Sequence, residues 1–190
     1  MILDVGAGEG TVYNTLSKER TGTALYEADL NLIIALKVQA LLERAGYTVL
    51  MLRTDYVNEY LNISKRAERV SNLDVDMLVS IHANAAANPD AHGARVYYNA
   101  NAGFARTDDS KRLAQSILDT IGTVCPASTP AYLVDGHSLA MLNGSGNIPV
   151  TLVETCFLTC RSDAENALDT ACQDQMAKAI AEGVISYIIF

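Results

Sequence analysis

Basic residues are scarce in this chain: 14 lysines and arginines stand against 22 aspartates and glutamates, a formal charge of -8 over 190 residues. That balance excludes wrapping of nucleic acid or adhesion to anionic lipid, because both rely on a basic face that releases counterions. Long apolar runs are lacking as well. The stretch from Leu30 to Leu42 is interrupted by Lys37 and Gln39, so no segment reads as a membrane span. Met1 leads directly into strand-like Ile2 to Val5, without the basic and then apolar leader of a signal peptide. Cysteine is sparse: Cys125, Cys156, Cys160 and Cys172 form neither a C-x-x-C pair nor a small disulfide framework, and read as buried free thiols. Internal repeats and low-complexity tracts are also missing.

What is present is apolar content of 49%, enough for one substantial core and a single domain. Ile2 to Asp4 read as a strand, followed by the glycine-punctuated turn Gly6 to Gly10, whose GAGEG lacks the Lys-Ser/Thr ending of a nucleotide loop. Residues 11 to 26 read as a polar surface loop. From Glu27 the period becomes helical, through Leu30, Ile33, Ile34, Val38, Leu41, Leu42 and Ala45, with Gly46 closing the helix. Tyr47 to Arg53 then predicts a strand, 60 to 72 a helix, Gly93 to Asn99 a strand and Asp108 to Thr123 a helix. Pro126 to Asn147 reads as loop, broken only at Leu139 to Leu142. Pro149 to Val153 is an apolar run ending on Glu154. A polar turn near Arg161 to Asp163 precedes helical patterns through Met176, Ile180 and Val184. Alternating helices and strands imply a three-layer α/β domain with a mixed, mostly parallel twisted sheet between helices.

The stretch Asp76 to Asn84, DMLVSIHAN, carries the clearest chemical signal. Met77, Leu78, Val79 and Ile81 suit a buried strand, and its carboxyl end delivers His82 where open α/β sheets bind ligands. A core histidine satisfied by a backbone carbonyl is the plainer reading of that residue. Glu27, in the first turn of its helix, has an equally plain reading as an acid favoured by the helix dipole. With Glu154 after the IPVTLV strand, these groups would share one edge of a parallel-rich sheet. Histidine with carboxylates suits zinc and a metal-activated water, for which three protein ligands are usual.

LDVGAGEG at 3 to 10, EADLN at 27 to 31, SIHAN at 80 to 84 and PVTLVETCFLT at 149 to 159 occur in order. In these four motifs, supported by LERAGYTVLMLRTD at 42 to 55, the chain resembles the zinc-dependent N-acetylmuramoyl-L-alanine amidases of the type 3 class. The resemblance implies a zinc-exopeptidase-like fold, with residues 1 to 190 as the catalytic domain. It also implies hydrolysis of the amide between N-acetylmuramic acid and the L-alanine of the stem peptide. Its partner would be bacterial peptidoglycan, with no nucleic acid and no membrane insertion; it would act at the cell wall, the missing signal peptide then pointing to an excised domain, phage-type release or cytoplasmic synthesis. By position, Glu27 and His82 correspond to ligands of Zn2+ and Glu154 to the catalytic glutamate. Asn84 and Arg53 are candidates for orienting substrate, and Arg66 for the same work.

The resemblance breaks at one place. The family's Gly-His-Gly histidine, a zinc ligand, falls on Ala7, and a methyl group coordinates nothing. Three readings are open: a substitution made to silence the enzyme, replacement of the ligand by Glu9, or a pseudoamidase that binds peptidoglycan without cutting it. The loop histidines His92 and His137 are further candidates to approach the site. A zinc carboxypeptidase acting on ordinary peptides is a weaker reading, since the motifs are those of the amidases.

Overall fold

The computed structural model describes residues 1–5, 27–54, 63–101, 103–124 and 131–189. The stretch that organises it is β3 (Leu78–Asn84), flanked by strands on both sides and buried on both faces. Such a strand needs apolar residues facing both ways, and it has them. Val79, Ile81 and Ala83 enter the larger core, while Leu78 enters the smaller one on the opposite face.

Around β3 lie β1 (Ile2–Val5), β2 (Leu50–Met51), β4 (Ala94–Tyr98), β5 (Ala131–Asp135) and β6 (Val150–Phe157). Their order across the sheet is β2-β1-β3-β6-β4-β5. The pairs β2/β1, β1/β3 and β3/β6 are parallel, β6/β4 is antiparallel and β4/β5 is parallel again. On one face pack α1 (Glu27–Arg44), α3 (Thr107–Ile121) and α6 (Thr170–Ile189). The other face carries α2 (Ile63–Ser71) and the short α4 (Ala140–Gly144), and α5 (Arg161–Ala167) follows β6. The three-layer α/β architecture expected from the element order is the one observed, and among the described residues no helix is long and apolar enough to cross a membrane.

Several boundaries differ from the sequence reading, each for a physical reason. The strand predicted at Tyr47 to Arg53 shrinks to Leu50–Met51, because it lies at the sheet edge and has only the short β1 to pair with. The bonds Leu50 N–H to Met1 O and Leu52 N–H to Leu3 O, each 3.0 Å, bracket it. A second edge strand, β5, lies inside the stretch read as loop. It pairs with β4 alone and leaves Tyr132 50% exposed, so it lacks the burial alternation that marks a strand. The strand formed by the apolar run before Glu154 continues through it to Phe157. The polar turn near Arg161 is the start of α5. Gly46 does close α1, in the left-handed region at φ 93°, where it directs the Tyr47 N–H to Leu42 O at 3.1 Å.

The contact between α3 and α6 depends on Gly183. A Cβ there would come within 2.5 Å of Ile117 Cα and 2.9 Å of Ser116 O, and neither backbone atom has room to yield. Ser116 Oγ donates to Gly183 O at 2.9 Å and Thr120 Oγ1 to Ala179 O at 2.8 Å, so the two helices are also tied at this crossing. Alanine in a helix is ordinarily favoured over glycine by about 1 kcal/mol. Here overpacking outweighs that preference, and Gly183→Ala is expected to lower stability by about 2 kcal/mol, read from the shift of the urea-unfolding midpoint at unchanged slope.

Candidate active site

The carboxyl ends of β1, β3 and β6 and the amino end of α1 share one edge of the sheet. On β3 the alternation that sends Leu78 into the smaller core places His82 on the same face, and its register partner on β6 is Glu154. The first turn of α1 brings Glu27 across this edge. Glu27 Oε1 lies 3.1 Å from His82 Nδ1, accepts from Asn31 Nδ2 at 3.1 Å and is approached by the Ala83 N–H at 3.5 Å. Asn31, one helical turn beyond Glu27, is fully buried, so the carboxylate is held from its own helix as well as from β3. The Glu27 and His82 side chains remain 16% and 15% exposed.

A bulge sets the far side of the site. Between His82 and Asn84 the β3/β6 register slips by one residue, so that His82 faces Glu154 but Asn84 faces Phe157. Such an insertion bends a strand and re-aims its side chains. Thr155 Oγ1 donates to His82 O at 3.2 Å within it. Buried Asp163 of α5 then fixes the exit, accepting the N–H groups of Phe157 and Gly93 on one oxygen, both at 2.8 Å.

Electrostatically the two glutamates are opposites. Burial pushes the Glu27 carboxyl up, but the hydrogen bond and charge of His82, with Asn31 and the Ala83 N–H, more than offset it and hold Glu27 below the usual carboxylate range. Burial raises Glu154 to about 7; the charge of His82 works against this and that of Glu27 adds to it. Glu154 Oε2 is buried and has no hydrogen-bonding partner among the described residues. Unpaired buried oxygens are costly. One here fits a carboxylate whose partner is a proton, a water or a cation.

The folding free energy should register this cost. With a chelator present, raising the pH from about 4.5 to about 7 is expected to destabilise the protein. Folded Glu154 keeps its proton across that window and the unfolded chain releases it, so the unfolded state binds fewer protons and stability falls as pH rises. The drop amounts to about 3 kcal/mol, while Glu27 acts below the window. Glu154→Gln should flatten the slope in urea titrations run at a series of pH values.

Imidazole and carboxylate donors suit zinc, and His82 and Glu27 supply one of each. Among the described residues no third His, Cys, Asp or Glu joins them in a group able to hold a metal. Ala7 and the alternative ligand Glu9 lie outside the described residues, as does Cys125.

The remaining candidates are placed as follows. Asn84 Oδ1 accepts the Ala85 N–H at 2.7 Å, and its side chain is hydrogen-bonded to Tyr97. Arg53 Nη2 donates to Ala28 O at 2.7 Å and so braces the first turn of α1, while Arg66 is buried on α2. His92 Nδ1 meets Asp90 O at 2.7 Å, and exposed His137 pairs with Asp135 at 2.9 Å. Cys156, Cys160 and Cys172 form no disulfide among the described residues; Cys160 is buried as expected but Cys156 and Cys172 are only half-buried, and burial and Asp163 push the Cys156 thiol up.

Sequence reasoning passed over Tyr97 and Arg95. Both lie on the β4 face that carries Glu154's neighbours. Burial and the Glu154 charge push the Tyr97 hydroxyl up. Arg95 is the cross-strand partner of Glu154. The period-two alternation of GARVYYN put the two on one face, but nothing in the sequence told which strand that face would meet.

A family model described as N-acetylmuramoyl-L-alanine amidase matches residues 2–186. Among curated relatives, the N-acetylmuramoyl-L-alanine amidase LytC of Bacillus subtilis is 29% identical over 171 residues. That alignment takes in 87% of this chain, which spans about a third (32%) of LytC's length. Among solved structures, an N-acetylmuramoyl-L-alanine amidase from Clostridium difficile 630 is 34% identical with a TM-score of 0.82, covering 99% of this chain and 95% of that one. The amidase CwlD of Clostridioides difficile, solved in complex with the GerS lipoprotein, is 28% identical with a TM-score of 0.83, covering 99% and 97%.

Proposed function

Because the chain belongs to the N-acetylmuramoyl-L-alanine amidase family, we propose that it is the catalytic domain of a peptidoglycan hydrolase, cutting between N-acetylmuramic acid and the first L-alanine of the stem. The observation that carries this reading is the meeting of Glu27, His82 and Glu154 at one sheet edge. Glu27 and His82 would hold zinc, with residue 7 at the place of the further protein ligand. Bound there, zinc supplies Lewis-acid polarisation of the scissile carbonyl and a lowered pKa for water.

The chain's own residues do the rest. Glu154 takes a proton from the attacking water and returns it to the leaving amine, a task for which a value near 7 is suited. Asn31 and the Ala83 N–H keep Glu27 ionised and in place. Arg53 fixes the helix turn from which Glu27 projects. In the sequence as it stands, Ala7 impairs turnover by weakening metal binding. The test is release of stem peptides from purified peptidoglycan with added zinc: a slow but zinc-dependent release supports the reading, and release unaffected by zinc removes it.

Ala7 itself favours a second reading, a pseudoamidase that holds cell walls without cutting them. In that case the protein sediments with walls and releases nothing even in excess zinc.

A further inference from the structure

The rim beyond Glu154 carries a cation that the hydrolytic scheme leaves unused. Arg95 on β4 is the cross-strand partner of Glu154 and the register partner of Tyr132 on β5, so the three side chains leave the same face of the sheet. The Arg95 guanidinium carbon lies 4.4 Å from the Tyr132 ring centroid and 5.1 Å from that of Phe157. One of its nitrogens, Nη1, donates to Ala94 O at 2.8 Å. No carboxylate pairs with it among the described residues, although acids outnumber bases by eight in this chain, 22 against 14.

Two ring faces stabilise a guanidinium without neutralising it. They also hold its planar fork in one orientation, so less freedom is lost when an anion docks. The fork matches the two oxygens of a carboxylate, whereas one cation in a strongly acidic protein is too little charge to retain a polyanion. Asp163 strengthens the arrangement, since it pins the backbone of Phe157 and of Gly93, two residues before Arg95, on a single oxygen.

We infer that Arg95, clasped between Tyr132 and Phe157, is the subsite for a carboxylate of the peptide stem and makes the site prefer stems in which that carboxyl is free over stems in which it is amidated. The identity of the ligand rests on the amidase reading; the anion subsite itself rests on the geometry of Arg95.

Calorimetric titration of the zinc-loaded protein with two muramoyl dipeptides, alike except for a terminal carboxylate in one and a carboxamide in the other, tests it. The carboxylate ligand is expected to bind about tenfold more tightly. Arg95→Met should level the two, and Arg95→Lys, which keeps the charge and loses the fork, should fall between. Equal binding of both ligands by the unaltered protein, binding of neither, or an undiminished preference in either variant overturns the inference. Carboxylate-selective binding with hydrolysis of neither ligand supports the subsite and counts against the amidase reading.

Discussion

Ala7→His is expected to raise the affinity of the protein for zinc at least a hundredfold and to bring release of peptide stems from peptidoglycan up with it. Structural zinc sites are worth roughly 10 to 16 kcal/mol over about four ligands, so one ligand accounts for about 3 kcal/mol. Residue 7 follows β1 by two positions, and the last residue of β1, Val5, pairs with Ile81, the neighbour of His82. Competition against a chelator of known affinity reads the gain. An increase below about tenfold would mean that position 7 contributes no ligand, and the impairment would need another cause.

Glu154→Gln, placed in the Ala7→His protein, should cut turnover by about a thousandfold while leaving its zinc content unchanged. General acid–base assistance contributes on the order of a hundred- to ten-thousandfold, and glutamine preserves the shape of the buried side chain while removing its basicity. In the protein that retains Glu154, the rate should rise with pH as the carboxyl ionises. The midpoint should lie below about 7, because a divalent cation nearby favours the carboxylate. A glutamine variant that retains more than a tenth of the activity would remove Glu154 from proton transfer.

Much of this site could be read before any coordinates because its chemistry sits where periodicity stops. Glu27 begins a helical pattern, while His82 and Glu154 close apolar runs. What the sequence hides is register. Nothing in SIHAN or VETCF indicates that His82 would face Glu154 while Asn84 faces Phe157; that depends on one residue accommodated as a bulge between two strands far apart in the chain. The edge strand β5 was hidden for a related reason. β5 has one neighbour and a half-exposed face, so its residues answer to β4 and to solvent together and show no clean alternation. Arg95 gave no signal in the sequence because its partners, Tyr132 and Phe157, come from two other strands.

The reversal of direction between β6 and β4 has a consequence for how this rim can vary. Where β3 and β6 leave the sheet, β4 enters it, so on the proposed reading the residues for bond cleavage come from strand exits and those that would recognise the stem from a strand entrance. Phe157 is the seam between the two sets. On that reading, residues 93–98 and 131–135 could drift, or be exchanged by an engineer, to retune which stem is accepted while the half that carries Glu27, His82 and Glu154 is inherited intact.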